Sequence, residues 1–456
     1  MRLAVVSSPF KVSGKMMRGL ALLLLCIAAR SLMAQAPEVL PSTITTLVGP
    51  NALRSTGGAA PFNAFPQPCV LGSPYLAYDA DGDGCPASLA DTTNAVEDLR
   101  VDGMGNVYWV DDTGSSAIAV HKYNPITGLV TLYAGGANAK SCNADTYGNG
   151  CVASDNQGNV ATDPAFTGTG FTAKMASRGI GIAPNNDLYI AGYNVDIIWR
   201  IAYQTHIMSL VAGTSKAATY IDSLTGCTST TTPACVLATA GTMDAPRGVG
   251  VDPNNNIYVA DTTEMVVREI FPSQYGVIID TVGGLAQTPT TAGSASRPIN
   301  TSGQAGYTNG PIATSLFSTD SDVQTDSFGN PYVLDYGNDS VRALYLGSGT
   351  LPNNPGPLTV GNWYTVVGNG TGSGTGPCAA GIAACLPNAA TNITISARKI
   401  AFDKYNNLYI GDTGKDVVWF VDHVTGYMRI IAGTYGLITG GAGCGNGNAK
   451  IGRAHV

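Results

Sequence analysis

Charged residues are scarce in this sequence, and basic residues are the scarcer kind. Asp, Glu, Lys and Arg make up 12% of its 456 residues, with 24 basic residues against 31 acidic ones. The basic residues form no run. Phosphate backbones and anionic lipid surfaces are bound through clusters of Lys and Arg. The sequence therefore predicts neither a nucleic acid nor a charged membrane surface as a partner.

A hydrophobic run long enough to cross a membrane is also missing. The longest apolar segment, Leu20–Ala29, is about half of the ~20 residues that a transmembrane helix needs. It follows three basic residues and precedes the small residues Ala34 and Ala36, an order typical of a signal peptide over residues 1–36. We expect an exported protein that is secreted, periplasmic or on the cell surface and does not span the membrane.

Helical periodicity is the third feature that the sequence lacks. Gly accounts for 57 residues, and Thr, Asn and Ala are abundant. This composition is typical of an all-β protein with many turns. A chain of this length ordinarily forms two or three domains, unless it is built from repeats.

Five segments of the chain align without gaps around one tyrosine. They are VDGMGNVYWVD, IAPNNDLYIAG, VDPNNNIYVAD, TDSFGNPYVLD and FDKYNNLYIGD, centred on Tyr108, Tyr189, Tyr258, Tyr332 and Tyr409. Shortly before each tyrosine stands a pair of Gly, Asn or Asp residues, which suit a positive φ and favour tight turns. Each segment is therefore predicted to form a β-hairpin.

A third strand and a closing strand follow each hairpin. The third strand is clearest in MVVREIF and DSVRALYL, and the closing phrases are LVTLYAGG, IMSLVAGT, IIDTVGG, WYTVVGN and MRIIAGT. Four antiparallel strands make one blade of a β-propeller. The pattern around LYIGDTGKDVVWFV and PYVLDYGNDSVRAL resembles the NHL-repeat family of β-propellers, of the secreted bacterial type, over roughly Asn94 to Thr434. The resemblance implies an all-β propeller of four-stranded NHL-like blades, five of them carried in full.

One predicted strand has no blade of its own. STITTLVG, Ser42–Gly49, has the character of an outermost strand, and the resemblance implies that it closes a blade begun by the other end of the chain. The inner strands of that blade would follow Thr434, so we expect a truncated ring of six or more blades. Residues 451–456 match one translation of a common sequencing adapter. We therefore assign 37–450 to the propeller and interpret 451–456 as a non-native tail and not as a genuine terminus.

Cysteines occur in local pairs within the predicted loops between blades. In an exported protein such pairs predict disulfides that pin long loops. The pairs are Cys69 with Cys85, Cys142 with Cys151, Cys227 with Cys235, and Cys378 with Cys385. Cys444 is left over, which agrees with an incomplete C-terminus. A metal site is the weaker interpretation, because no pair has two-residue spacing and no His lies beside one.

The loops between blades and the loops joining second and third strands are expected on one face, which we call the loop face. Carboxylates near it are the candidate ligand contacts: Asp111, Asp112, Asp261, Asp335 and Asp412. Four of them recur at one repeat position. Recurrence favours a structural role, in which a carboxylate accepts backbone N–H bonds or pairs with Arg268 or Arg342. Gly192 takes this position in the second unit, so a symmetric metal ring is not expected.

One stretch, YDADGDGCPAS, matches the first half of a calcium-binding loop. Asp79, Asp81 and Asp83 stand at alternate positions, but Ala90 occupies the twelfth position, where a bidentate carboxylate belongs. The alternative is an ordinary turn that leads into Cys85. Calcium is the one cofactor that the sequence suggests.

Two functions follow from this architecture. The first is a secreted or surface β-propeller that binds a protein or a glycan through its loop face without catalysis, since rigid repeats with long variable loops suit binding. The second is a metal-dependent lyase or lactonase with a site on the propeller axis, as in several relatives in fold. His121, His206 and His423 are predicted toward the rim, where they cannot converge on the axis, and no nucleophile with an adjacent base is visible. We expect a monomeric binding protein and leave enzyme activity as the alternative.

Overall fold

A computed structural model of the protein describes residues 95–112, 118–135, 177–193, 195–214, 219–221, 235–284, 296–298, 305–370 and 388–433. All of them belong to one unit of the chain, Thr43–Val456. The predicted signal peptide, the strand Ser42–Gly49 and the tail 451–456 lie outside the described residues and stay predictions.

Two four-stranded antiparallel sheets form the first two blades, each with its strands in sequence order. Blade 1 consists of β1 (Ala95–Val101), β2 (Val107–Asp112), β3 (Ile118–Asn124) and β4 (Leu129–Gly135). Blade 2 consists of β5 (Ser177–Ile182), β6 (Leu188–Gly192), β7 (Ile197–Ile201) and β8 (Met208–Ala212).

The other three blades repeat this order and add a two-residue strand beside the fourth. After β9 (Thr219–Ile221), blade 3 contains β10 (Val236–Leu237), β11 (Pro246–Val251), β12 (Ile257–Asp261), β13 (Val266–Ser273) and β14 (Gly276–Gly283). After β15 (Ser296–Pro298), which pairs with β9, blade 4 contains β16 (Gly310–Pro311), β17 (Asp320–Thr325), β18 (Pro331–Asp335), β19 (Ser340–Tyr345) and β20 (Asn362–Val367). Blade 5 contains β21 (Asn388–Ala389), β22 (Lys399–Phe402), β23 (Leu408–Asp412), β24 (Val417–Val421) and β25 (Tyr427–Gly433). The predicted all-β propeller with five four-stranded blades is confirmed.

Helical structure is limited to short turns in the described ranges. Single 3₁₀ turns occur at Ile312–Thr314, Tyr336–Asn338 and Ala390–Asn392. No helix among the described residues has the length and apolar character to cross a membrane.

In blades 1, 3, 4 and 5, the hairpin between the first and second strands is stabilised by an aspartate and by an asparagine four residues later. Asp102 Oδ1 accepts the N–H groups of Met104 and Asn106 at 2.9 Å, and Asp102 Oδ2 accepts the Asn106 amide at 2.7 Å. The turn residue immediately before Asn106 has a positive φ, and so do its equivalents in the other four blades. The φ values lie between 64° and 89° at Gly105, Asn186, Asn255, Gly329 and Asn406. The predicted hairpins are confirmed, but only the first member of each Gly/Asn/Asp pair has a positive φ, because the second already leads into the strand.

Aromatic side chains fill the spaces between neighbouring blades. The repeat tyrosines Tyr108, Tyr258 and Tyr332 are at most 1% exposed and belong to separate core clusters. Trp363 of blade 4 is fully buried, and its Nε1 donates to the carbonyl oxygen of Val282 in blade 3 at 2.7 Å. Large aromatic rings bury the most apolar area per residue, so the blades are held together face to face.

The first strands of the blades, β1, β5, β11, β17 and β22, form the inner layer of the propeller. Neighbouring first strands contact one another. A Cβ atom at Gly179 would lie 1.8 Å from the carbonyl oxygen of Arg247, and one at Gly248 would lie 2.5 Å from the Val323 nitrogen. Backbone atoms cannot move aside at low cost. Glycine therefore allows β5, β11 and β17 to pack backbone against backbone.

Candidate functional site

The loop face begins where the second strand of a blade ends, and in blade 3 this end is Asp261. Its Oδ1 accepts the N–H of Asp244 at 2.8 Å, and its Oδ2 accepts the Nε–H of Arg268 at 3.1 Å. Arg268 also donates to the carbonyl oxygen of Thr242 at 2.7 Å and to Thr281 Oγ1 at 3.2 Å. The ion pair therefore ties the loop between blades to the second, third and fourth strands.

Blade 4 repeats this arrangement with Asp335 and Arg342. Asp335 Oδ1 accepts the Ser318 N–H at 2.9 Å, and Arg342 Nη1 lies 3.2 Å from Asp335 Oδ2. Arg342 also donates to the carbonyl oxygens of Thr308 and Leu316. Both charged side chains are fully buried.

Blades 5 and 2 use a tryptophan at the third-strand position that Arg occupies in blades 3 and 4. In blade 5, Asp412 Oδ1 accepts two backbone N–H groups at 3.2 and 3.0 Å, and its Oδ2 accepts Trp419 Nε1–H at 3.0 Å. In blade 2, a Cβ atom at Gly192 would lie 2.7 Å from the ring of Trp199. In blade 2, the Trp199 ring and Val195 thus occupy the space beside Gly192 that a larger side chain would need.

In blade 1, Asp111 and Asp112 end strand β2, and their side chains lie outside the described residues. His121 holds the third-strand position, and its ring stacks on Trp109 with centroids 5.3 Å apart. The histidine thus lies within the blade, as the sequence predicted for a third strand.

Burial controls the protonation of these carboxylates. It raises the pKa of Asp261 to about 7 and that of Asp335 to about 6, although the guanidinium groups of Arg268 and Arg342 oppose the rise. The bonds just described give Asp261, Asp335 and Asp412 a structural role. Direct contact between these residues and a ligand stays a prediction.

A second charge cluster, which the sequence analysis missed, lies on the inner strands. We call Asp98, Arg100, Asp322 and Lys399 the axial cluster. Arg100 Nη1 lies 2.6 Å from Asp98 Oδ1, and Arg100 Nη2 lies 2.9 Å from Asp322 Oδ1. Lys399 Nζ lies 3.2 Å from Asp98 Oδ2 and 3.9 Å from Asp322 Oδ1. Arg100 of blade 1 thus reaches across to blade 4, and Lys399 of blade 5 reaches back to blade 1.

The remaining oxygens of this cluster bind neighbouring backbones. Asp98 Oδ2 accepts the Ile180 N–H of blade 2 at 2.9 Å, and Asp322 Oδ2 accepts the Ile400 N–H of blade 5 at 3.0 Å. Burial alone would lower the pKa of Arg100, but the Asp322 and Asp98 carboxylates raise it above its ordinary value. The cluster is therefore a network of paired charges that links four blades.

Aligning the repeats by their strand pairing shows a sequence feature that predicts this cluster. The strand partners of the residues two positions after each repeat tyrosine are Asp98, Gly179, Gly248, Asp322 and Lys399. Charges and glycines alone occupy this position, which is unusual for a buried strand. An alignment extended to the first strand would have found it.

Asp320 differs from the other buried carboxylates. It is fully buried at the start of β17, opposite Asp335, and neither carboxylate oxygen has a hydrogen-bond partner among the residues that the structure describes. Burial first, and the nearby charge of Asp335 second, raise the pKa of Asp320 well above its ordinary value. Ionisation of Asp320 is therefore less favourable in the folded protein than in the unfolded chain.

We expect Asp320→Asn to stabilise the protein increasingly as the pH rises. Below about pH 4 the acid is protonated in both folded and unfolded states, so wild type and variant should be equally stable. Above that pH the unfolded chain ionises while the folded carboxyl resists, so the wild type loses stability that Asn retains. By pH 7 the gain should exceed about 1 kcal/mol, because each unit of pKa difference between the folded and unfolded states is worth about 1.4 kcal/mol.

Urea unfolding of both proteins between pH 3 and 8 checks this expectation. Asp403→Asn is the matched control, because Asp403 accepts four hydrogen bonds, from Tyr405, Asn407 and Tyr409, and its replacement should destabilise the protein. A gain from Asp320→Asn that does not change with pH would contradict the assignment of a strained buried acid.

The other predicted site residues lie mostly outside the described ranges. These are the calcium candidates Asp79, Asp81 and Asp83 and the cysteines Cys69, Cys85, Cys142, Cys151, Cys227, Cys378, Cys385 and Cys444. Cys235 is 4% exposed and disulfide-bonded, and its pairing with Cys227 stays a prediction. Within the described part of the chain, no group of three or more His, Cys, Asp or Glu residues is arranged to hold a metal ion.

Comparison with known proteins gives distant structural likenesses. Virginiamycin B lyase from Staphylococcus aureus aligns over 75% of this chain and 70% of its own, with 10% identity and a TM-score of 0.36. An auxiliary nutrient binding protein from Bacteroides thetaiotaomicron aligns over 70% and 67%, with 11% identity and a TM-score of 0.36. A protein of unknown function from the same organism aligns over 71% and 56%, with 15% identity and a TM-score of 0.35. No protein-family model matches the chain, and no curated protein matches it.

Proposed function

We propose that this chain is an exported β-propeller of the NHL type that binds a protein or a glycan through its loop face and catalyses no reaction. The observation that supports the proposal is that the described carboxylates of the loop face and of the axial cluster bond to other groups of the protein. The carboxylates of Asp261, Asp335 and Asp412 are buried and form hydrogen bonds within their own blades. The charged groups of the axial cluster form ion pairs with one another.

This use of polar groups favours a scaffold over a catalyst. A general acid, a general base or a metal ligand needs an oxygen that faces the substrate or the ion. On the inner strands, Arg100 and Lys399 already neutralise Asp98 and Asp322. A divalent cation that bound Asp98 and Asp322 would have to replace the positive groups of Arg100 and Lys399, which also repel it. This disfavours a metal-dependent lyase or lactonase site on the propeller axis.

The proposal is tested with the exported full-length protein on an array of extracellular glycans and cell-surface proteins. We expect saturable binding that survives a chelator and leaves the bound molecule chemically unchanged by mass spectrometry. Hydrogen exchange should then show protection at the loop-face turn 413–416, which includes exposed residues, and none at the opposite turn 403–407. Turnover of the bound molecule, or a stoichiometric divalent ion whose removal abolishes binding, would favour the lyase or lactonase alternative.

A further inference from the structure

A polar cavity of about 480 Å³ lies between blades 1 and 2, on the face opposite the loop face. Its walls come from strands β3 and β4, the turn between them and the turn that precedes β8. The lining residues are Lys122, Asn124, Thr127, Leu129, Thr131, Tyr133, Tyr203, Gln204 and His206. Its volume falls within the roughly 300–1,000 Å³ of small-molecule sites.

Lys122 is the charged group of this cavity, and no carboxylate among the residues that the structure describes forms an ion pair with it. Its ammonium nitrogen lies 5.5 Å from the ring centroid of Tyr108, 5.8 Å from that of Tyr133 and 5.5 Å from that of Tyr203. Across the part of the chain that the structure describes, it makes no ion pair and no hydrogen bond. Burial lowers the pKa of Lys122, and the negative charge of Asp102 only partly opposes this. An ammonium group held by aromatic faces alone keeps its three donors available.

The nearby carboxylates are already engaged. Asp102 accepts bonds from Met104, from both nitrogens of Asn106 and from the hydroxyl of Tyr108. Asp187 accepts the Arg200 guanidinium at 2.6 Å. Neither acid forms an ion pair with Lys122, so the cavity presents a positive group in an acidic protein.

Uncharged polar groups and aromatic faces surround this cation. Tyr133 is 1% exposed, and its hydroxyl has no hydrogen-bond partner within the described ranges. Its ring meets His206 edge-on with centroids 5.0 Å apart. Amides, hydroxyls and aromatic faces are the groups that bind the hydroxyls and C–H faces of a sugar ring.

We propose that this cavity binds a sugar acid, with Lys122 pairing with the carboxylate and the tyrosines contacting the sugar ring. A carboxylate supplies the charge partner that Lys122 lacks. The hydroxyls of the ligand meet the amides and hydroxyls of the rim. The site lies opposite the loop face, so it does not depend on the function proposed above.

Calorimetric titration of the full chain with glucuronate, glucose and acetate tests this site. We expect glucuronate to bind about tenfold or more tightly than glucose, because a hydrogen bond to a charged group contributes at least that factor. Lys122→Met should reduce glucuronate affinity to the level of glucose. Lys404→Met is the matched control, because Lys404 lies 4.9 Å from the Tyr405 ring without such a cavity, and it should change nothing.

A measurement on the wild-type protein covers the case in which Lys122→Met does not fold. Saturating glucuronate should protect Lys122 from reductive methylation, as read by peptide mass spectrometry, while Lys404 reacts at its unliganded rate. Equal affinity for glucuronate and glucose, no protection of Lys122, or acetate binding as tightly as glucuronate would each overturn the assignment. Loop-face binding could persist in all these cases, so failure of this site and failure of the proposed function are distinguishable.

Discussion

Arg100→Met should lower the free energy of unfolding by about 3–5 kcal/mol, the usual cost of removing one partner of a buried ion pair. Arg100 neutralises two carboxylates, at 2.6 Å from Asp98 and 2.9 Å from Asp322, and both acids have fully buried side chains. In the variant, Lys399 alone faces both acids, at 3.2 and 3.9 Å. Urea unfolding at pH 7, followed by tryptophan fluorescence, measures the loss.

Two further variants show whether the loss comes from uncompensated charge. Adding Asp322→Asn to Arg100→Met should recover part of the stability, because it removes one buried carboxylate. Glu97→Gln breaks the partly exposed pair with Arg178 at 3.5 Å and should cost at most about 1 kcal/mol. If Arg100→Met costs no more than Glu97→Gln, the axial cluster does not hold the blades together.

Arg268→Met should be strongly destabilising in alkaline solution and less so in acid. The guanidinium donates to Asp261, Thr242 and Thr281, and both members of the ion pair are fully buried. Near pH 5.5, Asp261 is mostly protonated, because burial raises its pKa to about 7, and the variant loses chiefly hydrogen bonds worth about 1–3 kcal/mol. Near pH 8.5 the cost should rise to about 3–5 kcal/mol.

The destabilisation caused by Arg268→Met grows with pH because the pKa of Asp261 is raised in the folded protein. In the wild type, the contribution of this carboxyl is fully present below the unfolded pKa, falls as the pH rises, and levels off above about 7. Without Arg268, which lowers that pKa, the fall continues to higher pH. The difference in free energy of unfolding between wild type and variant should therefore widen above pH 7. Denaturant unfolding at both pH values measures it.

Trp419→Phe is the control for this expectation. It removes a neutral donor, 3.0 Å from Asp412 Oδ2, and places a smaller ring at a buried position. The aspartate keeps two backbone partners, so we expect a loss of about 1–3 kcal/mol that is similar at both pH values. An equal loss at pH 5.5 and pH 8.5 for Arg268→Met would mean that the arginine acts through packing and not through its charge.

The sequence predicted the strands of the five blades and the order in which they pair. The repeat tyrosines, the Gly, Asn and Asp turn pairs and the closing phrases specify antiparallel neighbours that are close in sequence, and local hydrogen bonding decides such pairing. The same patterns placed Asp261, Asp335 and Asp412 at one repeat position. They also predicted that Arg268 and Arg342 pair with these carboxylates. Tight turns and strand alternation are short-range effects, so the sequence by itself determined the blades.

Contacts between residues far apart in the chain were decided only by the tertiary structure. Arg100 contacts Asp322 across blades 1 and 4, and Tyr133 of blade 1 contacts His206 of blade 2 in the polar cavity between these blades. No local pattern encodes how far blades rotate around the ring or which inner strands approach one another. That geometry depends on the packing of entire blades, including close backbone contacts at glycines such as Gly179 and Gly248. The charges that these contacts bring together become partners because burial leaves them no water.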